Sequence, residues 1–127
     1  MKDGKLNGKG KLFTKEGKLV YEGDFVDGEK NGFGTLYFKN RGYYIGQIKN
    51  GVPYGEGNAY YKNGKILAKG KYIKGKLNGN EITIYLEDDS YAIGKFENDK
   101  PIKGILYDKN GNVIGPMEKF LYKIILD

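Results

Sequence analysis

Glycine recurs in this chain at a fixed period, and that period limits the possible folds more than any other feature. Gly4, Gly28, Gly51 and Gly75 are separated by 24, 23 and 24 residues. Gly8, Gly32, Gly55 and Gly79 follow the same steps, and so do Gly10, Gly34 and Gly57. A further set, Gly23, Gly46, Gly70 and Gly94, is spaced by 23, 24 and 24. Four registers agreeing on one period identify an internal repeat. Glycine loses more conformational freedom on ordering than any other residue. Its 21 copies in 127 residues therefore need a structural reason.

The repeats are YEGDFVDGEKNGFGTLYFKNRGY (21–43), YIGQIKNGVPYGEGNAYYKNGKIL (44–67), AKGKYIKGKLNGNEITIYLEDDS (68–90) and YAIGKFENDKPIKGILYDKNGNV (91–113), with a partial unit over 2–20. Within a unit the apolar period is near two. Tyr21, Gly23 and Phe25 share one strand face, and Gly32, Gly34, Leu36 and Phe38 share a face of the next. Alternation of this kind marks strands rather than helices. Loops such as NGVPYG (50–55) separate the strands, and KNG at 62–64 and 109–111 separates the units. Each unit therefore reads as a β-hairpin, and a unit of about 24 residues is too small to fold unaided. The expected fold is all-β: a single-layer antiparallel meander of stacked hairpins over one domain, residues 1–127, each hairpin leaning on its neighbours. The strand glycines are expected to leave slots where neighbouring rings lie flat, as Gly23 does between Tyr21 and Phe25. The loop glycines are expected to supply φ > 0 at sharp bends.

The C-terminus breaks the pattern, and a cap is assigned to 115–127. Pro116 suits the first position of a helix. Met117, Phe120, Leu121, Ile124 and Ile125 then fall on one helical stripe, opposite Glu118, Lys119, Tyr122 and Lys123. A short helix over the last hairpin is expected. At the other end the partial unit leaves a strand edge, through which a second copy could pair to give a homodimer.

Composition narrows the chemistry. Cysteine and histidine are both absent, which removes disulfides, thiolate sites, the commonest general base and the commonest transition-metal ligand. Glu87, Asp88 and Asp89 cluster in YLEDDS, and Asp24, Asp27 and Glu29 flank an earlier turn; both sets read as solvated turns, with too few converging oxygens for a cation. Ser90 has no histidine to activate it. No catalytic, cofactor-binding or metal residue is assigned, and the protein is expected not to be an enzyme. The net charge of +6 is spread in ones and twos, and interleaved Tyr and Lys recur at repeat positions, so nucleic acid is not expected as a partner. No apolar stretch is long enough to span a bilayer, and the N-terminus lacks a signal-like apolar region. A long curved sheet suits a peptide or a partner helix. Tyr37, Tyr43, Tyr60 and Tyr61 are the candidate protein-binding residues.

The stretch YEGDFVDGEKNGFGTLYF resembles the MORN (membrane occupation and recognition nexus) repeat, whose pattern is close to Y-x-G-x-W/F-x-x-G-x-x-x-G-x-G. The second unit matches it through Tyr44, Gly46, Gly51, Gly55 and Gly57. Unit three departs at Ala68 and Glu81, and unit four has Asp99, Lys103 and Ile105 where glycine would stand. Ile82, Ile84 and Leu86 also sit on the opposite parity from Leu36 and Phe38, which requires either a bulge or two partly buried faces. The resemblance implies a non-enzymatic module for protein interaction or scaffolding, in a cytoplasmic setting. Its alternative implication is peripheral contact with anionic phospholipid or phosphoinositide membranes, with Lys30, Lys49, Lys74 and Lys76 as candidate lipid-binding residues. YYKNGK and LYDKNGN resemble a divergent bacterial variant, which adds an antitoxin-like role as a lesser implication.

Overall fold

A computed structural model describes residues 4–39 and 41–121. Among the described residues eleven strands form one sheet: β1 (Gly8–Phe13), β2 (Leu19–Val26), β3 (Glu29–Phe38), β4 (Gly42–Lys49), β5 (Val52–Tyr61), β6 (Ile66–Ile73), β7 (Lys76–Leu77), β8 (Gly79–Tyr85), β9 (Tyr91–Glu97), β10 (Lys100–Tyr107) and β11 (Val113–Pro116). The spatial order follows the chain from β1 to β11, with the two-residue β7 pairing β6 just before β8 takes over. Every pairing is antiparallel, so the sheet is an open meander of hairpins.

The hairpin loops are tighter than the sequence suggested. In NGVPYG only Asn50 and Gly51 form the turn, because Lys49 already pairs with Val52 and the strand runs on through Tyr61. Asn50 has φ 51° and Gly51 φ 85°. Two successive positive φ values give the hairpin turn whose twist matches the flanking strands. Asp27-Gly28, Lys74-Gly75 and Asn98-Asp99 repeat it. The turns also stack on one another. The amides of Gly28, Gly51, Gly75 and Asp99 donate to the carbonyls of Leu6, Lys30, Pro53 and Leu77 at 2.8–3.0 Å. Asn7, Asn31 and Asn78 accept the amides of Asp27, Asn50 and Asn98 at 3.0–3.1 Å, tying each unit to the next.

The glycines form a line across the sheet. Gly10, Gly23, Gly34, Gly46, Gly57 and Gly70 are cross-strand partners in succession, and Gly94 pairs with Gly104 farther along. The sheet creases along this line. Tyr21 and Phe25 sit four residues apart on one strand, which is about 13 Å if extended, yet their ring centroids are 5.2 Å apart and edge-to-face. The strand therefore bends at Gly23, where the β2–β3 register also shifts. Tyr44 and Tyr72 meet across the crease in the same way, with centroids 5.0 Å apart. Folding in half lets a single sheet bury one of its own faces. Tyr21, Phe25, Leu36, Tyr44, Ile48, Ala59, Tyr72, Ile84, Phe96 and Leu106 form that core.

The expected ring-over-glycine packing is present, but between neighbouring strands. A Cβ on Gly34 would lie 2.5–2.7 Å from the Tyr21 phenol, and one on Gly57 2.2–2.4 Å from that of Tyr44. Each phenol then reaches down its own bent strand, Tyr21 Oη donating to the Asp24 carbonyl at 2.7 Å and Tyr44 Oη to that of Gln47 at 2.8 Å.

The irregular units keep this plan through bulges. In unit three the β8–β9 register shifts between Gly79 and Ile82, which places Ile82 opposite Gly94. One inserted residue explains the inverted parity of Ile82, Ile84 and Leu86. Ile82 thus occupies the glycine line, in a unit whose leading position holds Ala68 in place of tyrosine. In unit four the register shifts between Pro101 and Lys103, so Gly104, not residue 105, takes the glycine position. Asp99 adopts the glycine-like φ of 69°.

The C-terminal helix is a single turn, α1 (Met117–Phe120), packed on β9, β10 and β11. Pro116 precedes it as an extended N-cap rather than its first helical residue. Met117 is fully buried in the core, whereas Phe120 is 52% exposed and Leu121 is already extended. The expected stripe therefore reduces to Met117 within this turn. Tyr122, Lys123, Ile124 and Ile125 lie outside the described residues.

Candidate binding surface

Because the inner face closes on itself, the outer face presents the remaining side chains. Alternation from the buried Leu36, Tyr44 and Ala59 places Tyr37, Tyr43 and Tyr60 on that outer face, and all three are direct cross-strand partners. The Tyr43 and Tyr60 rings stack with centroids 4.9 Å apart and 16° between planes. Tyr37 and Tyr43 stand 6.0 Å apart and open at 40°. Tyr37 is 37% exposed, and the other two are half-buried by their stacking. A shallow cleft of about 420 Å³ beside them is lined by Thr14, Lys18, Val20, Tyr37 and Phe38.

Tyr61 does not join them. It donates its phenol proton to the Tyr85 carbonyl at 2.6 Å, and burial pushes its pKa up. Its role is to pin one unit to the next.

A second tyrosine trio escaped the sequence reading. Tyr85, Tyr91 and Tyr107 are cross-strand partners on the same face. Tyr91 and Tyr107 stack at 5.0 Å and 20°, and Tyr85 and Tyr91 open at 6.1 Å and 40°. The two trios thus share one geometry. A signal was there: tyrosines six residues apart flank the inter-unit loop in both YFKNRGY (37–43) and YLEDDSY (85–91).

The four candidate lysines gather along the rim formed by the stacked turns. Lys30 Nζ lies 5.7 Å from the Tyr21 ring centroid and Lys49 Nζ 5.1 Å from that of Tyr54. Both use their charge on an aromatic face. Lys74 is a turn residue with φ 50°, and Lys76 is exposed in β7.

Two of the turn carboxylates, Asp88 and Asp24, are engaged by neighbouring donors. Asp88 accepts from the Ser90 hydroxyl and amide, and these bonds hold its pKa below the usual carboxylate range. Asp24 is held low by the Lys9 ammonium and the Phe33 amide. No group of three or more metal-ligating side chains could hold an ion among the described residues. No helix among them is long and apolar enough to cross a membrane.

A family model described as MORN repeat matches residues 1–17, 21–43 and 44–66. No curated protein matches the chain.

Proposed function

The chain belongs to the MORN repeat family, and from that premise we propose that it is a non-enzymatic scaffold whose outer face binds a protein partner through Tyr37, Tyr43 and Tyr60. The observation that supports this reading is the cross-strand stack of the three rings on the face left outside the crease. Rings already held by one another give contact area with little further loss of side-chain freedom. The absence of histidine and cysteine and the engagement of Asp24 and Asp88 by neighbouring donors support a role without catalysis. A Tyr43→Ala/Tyr60→Ala protein tests it. The variant should melt within a few degrees of the parent while losing the partners that the parent captures after cross-linking. Capture of the same partners by both proteins would refute the assignment.

The second reading, peripheral binding to anionic lipid in a cytoplasmic setting, draws on the convergence of Lys30, Lys49, Lys74 and Lys76 on the turn rim. Basic residues near an anionic surface contribute about 1 kcal/mol each. Salt-sensitive sedimentation with phosphoinositide-containing liposomes, lost in a Lys74→Ala/Lys76→Ala protein, is the expected result for this reading. Edge-to-edge dimerisation through β1 would bring Lys9 and Lys11 of two copies together, although both lysines already face Asp24 and Glu22 across the sheet.

A further inference from the structure

We propose that the unpaired edge of β1 takes an acidic extended strand of a partner protein, added antiparallel to the sheet. This surface is separate from the tyrosine face and goes beyond the reading above. Three observations carry it: an open backbone edge, an interrupted core row and a basic strand.

Among the described residues β1 pairs with β2 alone. The backbone groups of Gly8–Phe13 that face away from β2 are therefore a template for one more strand. A ladder of this kind selects an extended occupant, because a helix uses its own backbone bonds internally. The opposite end of the sheet is built differently. β11 is four residues long, includes Pro116 and is packed by α1, and both short length and proline blunt an edge. β1 is six residues long and has no proline. Its core row is also open. Leu12, Tyr21, Leu36, Tyr44, Ala59 and Ala68 are cross-strand partners in succession on the inner face. Every one of them is buried except Leu12, which is 43% exposed. A strand beyond β1 covers it.

Charge then sets the chemistry of the partner. Lys5, Lys9, Lys11, Lys15 and Lys18 are exposed along β1 and the turns beside it, against Glu16 in the same stretch and Glu22 and Asp24 opposite on β2. Five cations against three acids leave this edge basic. Lys9 and Lys11 reach Asp24 and Glu22 at 2.5 and 3.7 Å, yet their side chains stay 78% and 57% exposed. Each therefore keeps a flank open to an acid on the far side. A second copy paired about Gly10 sets Lys9 opposite Lys11, and like charges directly opposite are destabilising. An acidic strand instead continues the alternation of acid, lysine and acid. On its paired side β1 already holds such a sequence: Leu12, Lys11, Gly10 and Lys9 face Tyr21, Glu22, Gly23 and Asp24. The same order of aromatic, acid, glycine and acid on the open side covers Leu12, meets both lysines and extends the glycine line.

The probe is a short labelled synthetic peptide centred on Tyr-Glu-Gly-Asp, titrated into the full chain by anisotropy. Saturable binding is expected, with slowed hydrogen exchange at the β1 amides that point away from β2. A peptide centred on Tyr-Lys-Gly-Lys should bind the parent about tenfold more weakly or worse. In Lys9→Glu/Lys11→Glu the preference should reverse, and capture of the basic peptide shows that the variant is folded. Two acidic peptides, N-methylated at alternate residues in opposite phase, separate backbone pairing from charge alone. Methyls facing β1 should weaken binding by about tenfold or more, and methyls facing away should leave it within about threefold. Equal binding of these two overturns the edge assignment. Equal binding of the acidic and basic peptides by the parent overturns the choice of partner. Slowed exchange along β1 before any peptide is added, relieved by dilution, means that a second copy holds the edge, and it refutes the proposal. An absence of binding at millimolar concentration refutes it as well, and the cross-linking outcome for Tyr43→Ala/Tyr60→Ala decides the outer-face reading separately.

Discussion

Replacing Gly57 with alanine should damage this fold far more than a one-carbon change suggests. The added Cβ would sit 2.2 Å from Tyr44 Oη, 2.3 Å from Cζ and 2.4 Å from Cε2. Ordinary contact needs at least about 3.4 Å, so the ring has to move by roughly 1 Å or leave. Tyr44 is fully buried, so expelling it forfeits roughly 1.5–3 kcal/mol of burial. It would also lose the hydrogen bond to Gln47, about 1 kcal/mol, and the edge-to-face contact with Tyr72, roughly 0.5–1.5 kcal/mol. The expected cost is about 3–5 kcal/mol, which for a chain of this size lowers Tm by roughly 10–20 °C. The same substitution in a Tyr44→Leu background should cost under about 1 kcal/mol, because leucine is too short to reach over Gly57. Urea denaturation of the four proteins gives the coupling as a double-mutant cycle, expected at about 2 kcal/mol or more. A coupling under about 0.5 kcal/mol would refute the claim that bare backbone at residue 57 exists to admit the phenol.

Gly46→Val should unfold the array, because its Cβ would meet backbone, Gly57 Cα at 2.5 Å and Glu56 O at 2.7 Å; Lys49→Ala, which removes a cation–π contact, should cost under about 1 kcal/mol, and equal melting temperatures for the two would contradict the crease. Asn31→Ala should cost about 1 kcal/mol and speed hydrogen exchange at the Asn50 amide it holds; unchanged exchange there would show that the turns do not depend on the asparagine. Burial raises the pKa of Tyr44 and Tyr72. A raised folded pKa means that the folded state holds its proton more tightly, so the stability is fully present below the ordinary tyrosine value near 10 and is lost as pH rises beyond it. Stability should hold flat through neutral pH and fall above about pH 10, with tyrosinate absorbance rising in step with unfolding; ionisation of every tyrosine in the folded state would contradict the burial. Asp24, Asp88 and Asp108 are shifted the other way by hydrogen bonds and, for Asp24, by Lys9. Their contribution is present above about pH 4 and declines as pH falls through the lowered values, which an acid titration of Tm would show.

The hairpin repeat and the meander were legible because period and alternation are one-dimensional signals. Gly23, Gly46, Gly70 and Gly94 report themselves by spacing alone. The crease was not legible, since it depends on which glycines become cross-strand partners, and register is a property of pairing. The same limit hid the second trio. Tyr85 lies in a unit whose glycine pattern is shifted by the bulge before Ile82, and Tyr91 opens the next, so a repeat alignment that forbids insertions looks past the pair. Tyr61 misled for the opposite reason. It adjoins Tyr60, but neighbours on a strand face opposite sides, and only the inner side offers the Tyr85 carbonyl.

Unit three shows what the crease requires. In the first two complete units a large residue, Tyr21 or Tyr44, leads the hairpin and a glycine, Gly34 or Gly57, receives it. In unit three the leading residue is Ala68, and Ile82 stands on the glycine line, its Cδ1 lying 2.3 Å from where a Cβ on Gly70 would be. Both Ala68 and Ile82 are buried. The bulk has moved from one strand to its partner while the filled space between them is kept, which is how close-packed interiors accommodate sequence change. What the fold specifies is therefore a paired volume across the bend rather than a tyrosine or a glycine at a given place. It follows that Ile82→Gly alone should open a cavity costing about 2–5 kcal/mol, and that Ala68→Tyr added to it should restore part of the loss. A double variant no more stable than Ile82→Gly would mean that the bulge, and not the volume, governs unit three.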